Sequence, residues 1–141
     1  MMDSLKIDHR SDTAVGVELV APQGEIDISN VEDLNQCLQS ALTRRPRQLL
    51  VDLSGVSYMD SAGITTLLHT RQATDRIGAE LVLVGGSPFI RRLLRMIGVG
   101  RLFAHHETVA AALATLPNDA SEATSAGSDA STEECEDLLP A

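Results

Sequence analysis

Val51-Asp52-Leu53-Ser54-Gly55-Val56-Ser57-Tyr58-Met59-Asp60-Ser61-Ala62-Gly63-Ile64 is the stretch on which the reading of this chain turns. Its upstream end completes Leu49-Leu50-Val51-Asp52-Leu53, a short apolar run that reads as a strand buried on both faces. Asp52, inside that strand, reads as a hydrogen-bond acceptor near a sheet edge. Downstream, Ile64, Leu67 and Leu68 recur at helical spacing, so a helix starts near Ser61 and is ended by Gly78. Tyr58 to Gly63 therefore joins a buried strand to a helix, and unpaired backbone N–H groups lie at such a helix start.

The same alternation extends in both directions. Leu5 and Ile7 frame a first short strand. Val15, Val17 and Leu19 face one way in a second strand, and Val20 leads toward a turn at Pro22-Gln23-Gly24. Gly24-Glu25-Ile26-Asp27 precedes Ser29, which has Glu32 three residues on, the spacing of a capping box. Val31, Leu34, Leu38, Ala41 and Leu42 continue as a helix, with Arg44 and Arg45 suited to its C-terminus before Pro46. On the other side, Leu81-Val82-Leu83-Val84 is a buried strand closed by Gly85-Gly86. Ser87-Pro88 opens a helix whose Ile90, Leu93, Leu94 and Ile97 share a face, with Gly98 at its C′ position. Leu102-Phe103 reads as an edge strand, and Val109 to Leu116 as a last helix stopped by Pro117. The pattern predicts a single α/β domain over residues 1–116, with a mixed, mostly parallel sheet of about four to five strands and roughly four helices.

Composition bounds the rest. The chain has 141 residues, 43% hydrophobic but only 2% aromatic, so its core must be built from Leu, Ile, Val and Ala. Residues 117–141 hold seven acids (Asp119, Glu122, Asp129, Glu133, Glu134, Glu136 and Asp137) and no base, and lack apolar periodicity; they read as a disordered acidic C-terminal tail. Removing those seven from the net charge of −9 leaves −2 for the remainder, which carries no nucleic-acid footprint. No apolar run approaches the roughly 18 to 20 residues of a membrane span, and Met1 to Lys6 has no signal-peptide core. A cytoplasmic protein is expected. Cys37 and Cys135 have no paired spacing, so no structural disulfide is expected. None of His9, His69, His105 and His106 is placed as a metal pair.

Two readings of Ser61 compete. A serine there caps its helix, as serines at such positions commonly do. Alternatively its surface hydroxyl is modified, since a helix N-terminus tolerates or favours added negative charge.

Position by position, Val51 to Ile64 resembles the signature of the STAS domain in anti-sigma-factor antagonists, where a strand ends in an apolar-Asp-Ser-(Ser or Thr)-Gly turn. Gly24-Glu25-Ile26-Asp27 resembles that family's upstream loop, and Ser87-Pro88 to Gly98 its third helix. The resemblance covers roughly residues 10–116. It implies that Ser61 is a phosphoacceptor for a partner that is both anti-sigma factor and serine kinase. It places Asp27, Asp60, Ala62, Gly63 and Ser87 at the partner surface, with Gly63 allowing close approach. Ala62 stands where the family has a second hydroxyl, which bears on partner identity and phosphorylation rate.

Enzymatic readings fare worse. A phosphoaccepting receiver domain would use an acidic cluster such as Asp27, Asp52 and Asp60 with Mg²⁺, but it also needs a lysine after its last strand, and Lys6 is the only lysine. There is no G-x-S-x-G elbow, and Gly98-Val99-Gly100 is a lone G-x-G. His105-His106 reads as a solvated loop. The expectation is a binding module with no catalytic residue, no metal and no cofactor of its own, ATP being used by the partner kinase. Unphosphorylated, it would bind the anti-sigma factor and free a sigma factor; phosphorylation would end this and a phosphatase restore it. The alternative is a peripheral STAS subunit of a membrane transport complex.

Overall fold

The computed structural model describes residues 5–96 and 102–114. In chain order its elements are β1 (Lys6–Asp12), β2 (Val17–Ile26), α1 (Val31–Leu42), β3 (Gln48–Asp52), β4 (Val56–Met59), α2 (Ser61–Arg76), β5 (Glu80–Val84), α3 (Pro88–Met96), β6 (Ala104–His106) and α4 (Val109–Leu113). The described residues thus form six strands and four helices, one strand more than the sequence pattern predicts. The sheet runs β1-β2-β3-β5-β6, with β4 attached to β2 alone. β1 pairs antiparallel with β2 and every other pairing is parallel, so the sheet is mixed and mostly parallel as expected.

β2 explains the extra strand. Val17 to Val20 pair with β3, while Gly24 to Ile26 pair with β4, with a register shift between Gly24 and Glu25. The expected turn at Pro22-Gln23-Gly24 is absent because β1 stays paired along this stretch, Lys6 opposite Gln23 and Ile7 opposite Pro22. Gly24 takes φ of 103°, a conformation open to glycine and strained for a side chain. Its N–H donates to the Gly55 carbonyl at 2.8 Å, joining the bend to the start of β4.

Both faces of the sheet are buried, for the reason the strand composition gives. On one face Val20, Ile26, Leu49, Val51 and Leu83 pack with Leu34 and Leu38 of α1, Leu67 of α2, and Ile90 and Leu94 of α3. On the other, Val17, Leu19, Leu50, Val82 and Val84 pack beneath Ala112 of α4. Burying a Leu or Ile side chain contributes about 1.5 to 3 kcal/mol, so these two clusters supply most of the cohesion of an aromatic-poor domain.

Several local expectations are corrected. α1 is capped at Asn30, not Ser29, and makes no side-chain cap bond. Ser29 instead turns back to Asp27. Arg44 and Arg45 fall beyond the last turn of α1, and Arg44 reaches Glu18 at 3.9 Å. Glu18 is buried in β2, where its carboxylate accepts from His9 Nε2 at 2.6 Å and Ser11 Oγ at 2.8 Å. Asp52 ends a central strand and not an edge, accepting from the Ser54 N–H at 2.9 Å. The edge strand is Ala104–His106 and not Leu102-Phe103, so His105 and His106 belong to β6 and not to a loop. His105 Nε2 donates to the Gly85 carbonyl at 2.8 Å. Ser87 caps α3 as expected, its Oγ accepting from the Ile90 N–H at 3.2 Å. The last helix ends at Leu113, short of the expected Leu116; Ile97, Gly98, Thr115, Leu116 and the acidic tail lie outside the described residues.

The apolar face of α3 should carry its stability and the arginines should not. Leu94, almost fully buried, should cost about 2 to 5 kcal/mol on truncation to Ala. The exposed Arg92→Ala should cost less than about 0.5 kcal/mol. Urea melts of the two variants measure the difference, and the reverse order would overturn the assignment of faces.

Candidate functional site

The ends of β2 and β4 lie side by side, Ile26 opposite Met59, so the residues that follow them, Asp27 and Asp60, leave the sheet together. A backbone bond fixes this arrangement: the Asp60 N–H donates to the Ile26 carbonyl at 3.1 Å. Asp60 is the N-cap of α2. Its extended backbone starts the helix, and its Oδ1 accepts from the Ala62 N–H at 2.9 Å and the Gly63 N–H at 3.4 Å. Capping by Asp satisfies donors that the first helical turn cannot pair internally, and places negative charge at the positive end of the helix. The capping role that the sequence allowed to Ser61 therefore belongs to its neighbour. Ser61 is the first residue of α2 and is exposed, leaving its hydroxyl at the surface.

Gly63 takes a different role from the one implied for it. It is buried, and a Cβ at this position would collide with Met59 Cγ and stand 3.1 Å from Ile26 Cγ2. The close approach it permits within the chain is that of α2 to the strands beneath it. Ala62 is half-buried beside it.

Asp27 is held in an Asx-type turn. Its Oδ1 accepts from the Ser29 hydroxyl at 2.5 Å and from the Ser29 N–H at 2.9 Å, while the Asp27 N–H donates to Asn30 Oδ1 at 2.9 Å. The Ser29 hydroxyl, then the Ser29 N–H, hold the Asp27 carboxyl below its ordinary value of 3.8; slight burial opposes them and Asn30 assists. This loop also exposes Ile28, 80% accessible.

Beside Ser61 runs a groove of about 520 Å³ bounded by Tyr58, Met59, Asp60, Ile64, Leu68, Phe89 and Leu93, among others. Its wall from α3 is joined to β4 by the stacked rings of Tyr58 and Phe89, with centroids 6.0 Å apart and planes 18° apart. Both rings are exposed apolar surface, and among the described residues no Lys, Arg or His lines the groove. The groove thus presents exposed apolar surface rimmed by Asp60 and Ser61. Among the described residues, no group of three His, Cys, Asp or Glu side chains is placed to hold a metal ion.

Asp27, Asp60, Ser61 and Ala62 are thus brought together at the ends of two adjacent strands. Ser87 stands apart from them as the cap of α3, the helix that supplies Phe89 and Leu93. Tyr58, Phe89 and Ile28 were missed in the sequence. Their signal was available: they are three large apolar residues outside the core periodicity.

This fold and this strand-to-helix turn define a STAS domain. The STAS model matches residues 10–112, and the chain belongs to that family. Among curated proteins it is similar to an anti-sigma-B factor antagonist of Staphylococcus aureus, 33% identical over 84 residues, which are 60% of this chain and 78% of the relative. The anti-sigma-F factor antagonist RsfA of Mycobacterium tuberculosis is 28% identical over 97 residues, covering 67% of this chain and 76% of the relative. A crystal structure of an anti-sigma factor antagonist from Mycobacterium paratuberculosis superposes with a TM-score of 0.73 at 26% identity, covering 82% of this chain and 97% of that one.

Because the Asp27 carboxyl titrates low, the stability it contributes is fully present above about pH 4 and is lost as pH falls through its folded value. Ser29→Ala should raise that value back toward 3.8. Carboxyl-carbon NMR titration of the two proteins measures it, and an unchanged Asp27 titration would refute the account of the loop.

Proposed function

We propose that this protein is an anti-sigma-factor antagonist whose docking surface is the groove beside Ser61, and that phosphorylation of Ser61 by the partner kinase switches docking off. The observation that carries the reading is the division of labour at the start of α2. Asp60 occupies the helix N-terminus, and Ser61, one residue on, is exposed at the rim of an apolar groove. Family membership and the two curated relatives named for anti-sigma factors support the partner class. In this reading Asp27, Asp60 and Ala62 border the contact, Ser87 supports it through α3, and the protein catalyses nothing itself. ATP belongs to the kinase, and a separate phosphatase resets the switch.

The chemistry of the switch follows from the groove. A phosphate adds about −1.5 to −2 charge. The seat it would otherwise find at the helix N-terminus is filled by the Asp60 carboxylate, which already takes the Ala62 and Gly63 N–H groups. Among the described residues no cationic side chain lines the groove, so a docking partner would strip water from a phosphate that these lining residues do not pair. The fold itself has little at stake, since attraction to the helix end and repulsion from Asp60 are each small at an exposed position.

Among the described residues no helix is long and apolar enough to cross a membrane. A peripheral transport subunit would need no such helix, so this does not separate the two readings; the curated relatives' names favour anti-sigma factors.

Titration calorimetry against the candidate anti-sigma factor tests the proposal. Phosphorylated protein should bind at least about thirtyfold more weakly than unmodified protein, equivalent to roughly 2 kcal/mol. Ser61→Ala should bind whether or not kinase and ATP are present, and Ser61→Asp should bind less well. The melting free energy should change by less than about 1 kcal/mol on phosphorylation. Equal affinity of the two forms would end the switch model.

A further inference from the structure

α3 is shared between two concavities. Phe89 and Leu93 face the groove beside Ser61, whereas Arg91, Leu94 and Arg95 line a separate cavity of about 250 Å³, bounded also by Leu83 of β5 and by Phe103, His105 and Glu107 at β6. The two sets of lining residues do not overlap, so nothing said of Ser61 accounts for the second cavity.

Its walls are chemically divided. Leu83, Leu94 and Phe103 are buried and supply an apolar floor. The rim is cationic. Arg91 is oriented by Glu107, its two terminal nitrogens donating to the two carboxylate oxygens at 3.2 and 3.0 Å. The Arg91 guanidinium, through these bonds and its charge, also keeps the Glu107 carboxyl below its usual range. That pairing leaves the Arg91 Nε buried and without an acceptor among the described residues. Arg95, one turn on, makes no ion pair among the described residues. His105 is fixed by its Nε2 bond to the Gly85 carbonyl, which holds its ring in the wall.

Arginines on the outer side of a helix are ordinarily solvated, and the helix alone would carry no inference. The apolar floor beneath them changes the balance. A hydrated inorganic anion would use the arginines and leave Leu83, Leu94 and Phe103 uncovered. A neutral apolar molecule would cover the floor and make no use of the Arg95 charge. Only a molecule with an anionic head and a short apolar body uses both. The volume lies at or below the low end for small-molecule pockets, so the ligand is smaller than a nucleotide or a drug-sized compound.

We propose that the cavity between α3 and β6 binds a small organic carboxylate, its head taken by Arg95 at the rim, its body lying on Leu83, Leu94 and Phe103. A ligand there also touches the helix that presents Phe89 and Leu93 to the groove. Any effect of the ligand on partner docking must therefore be matched by an equal effect of the partner on ligand affinity.

The test is titration of hexanoate into the full-length protein, followed by backbone amide NMR and by the thermal midpoint, with hexanol and inorganic phosphate as comparison probes. Hexanoate should give saturable shifts at Leu94, Phe103 and His105 and raise the midpoint. Hexanol and phosphate should each bind about tenfold or more weakly, since each loses one half of the recognition. Arg95→Gln, a change at an exposed residue, should leave the unliganded midpoint unchanged and weaken hexanoate about tenfold or more. Absence of saturable shifts would overturn the proposal. So would hexanol or phosphate binding as tightly as hexanoate, or Arg95→Gln binding like the parent. None of these outcomes depends on phosphorylation of Ser61.

Discussion

Hydrogen bonding along β2 sets the geometry of everything that follows. One edge of this strand is occupied by β1 from Val17 to Gln23, while the other is shared, first by β3 and then, from Gly24, by β4. A strand can change neighbours only where its ladder is interrupted, and residues 21–23, between the last pair with β3 and the first with β4, provide that interruption; the register of the β4 pairing then shifts between Gly24 and Glu25. The consequence is that Ile26 lies against Met59, and that the Asp60 N–H finds the Ile26 carbonyl. The start of α2 is thereby tied to the end of β2. Gly63 lets the helix settle on these strands where a Cβ would strike Met59. Remove the crossover, and Asp27, Asp60 and Ser61 no longer belong to one surface.

Within that frame the two polar residues at the helix start divide the work. Asp60 spends its carboxylate on backbone donors and stabilises the fold. Ser61 makes no cap bond and is exposed, so its chemical state is free to change without disturbing the helix. α3 then gives the surface its hydrophobic wall, through the contact of Phe89 with Tyr58. The same helix turns its basic side toward β6, so one short element borders both concavities.

Much of this was legible in the sequence, and the reason is physical. β3 and β5 are buried on both faces, so Leu49 to Val51 and Leu81 to Val84 had to be continuous apolar runs. Ser87-Pro88 specified a helix start by local stereochemistry alone. The signature around Ser61 lay in one contiguous segment. What remained hidden depended on partners distant in sequence. Pro22 and Gly24 read locally as a turn. In the fold, Pro22 falls between the two parallel pairings, where that edge of β2 requires no donor, and β1 keeps the strand straight. Val56 to Met59 is too short to announce itself as a strand, and exists because the end of β2 needs a neighbour. Ser29 followed by Glu32 resembled a capping box, but the Ser29 hydroxyl is taken by Asp27. Glu18, between Val17 and Leu19, is buried because His9 and Ser11 of β1 and Arg44, just beyond α1, converge on it, partners no local pattern reveals.

The central claim is that Asp60 holds the fold at the start of α2 while Ser61 is left free for signalling. Equilibrium urea unfolding of Asp60→Ala and Ser61→Ala, each against the parent protein, tests it most directly. Loss of the cap should lower the stability of Asp60→Ala by about 0.5 to 2 kcal/mol, and Ser61→Ala should stay within about 0.5 kcal/mol of the parent. A Ser61→Ala variant destabilised as much as Asp60→Ala would show that Ser61 itself secures the helix start, and the division between structural and signalling residues would fall.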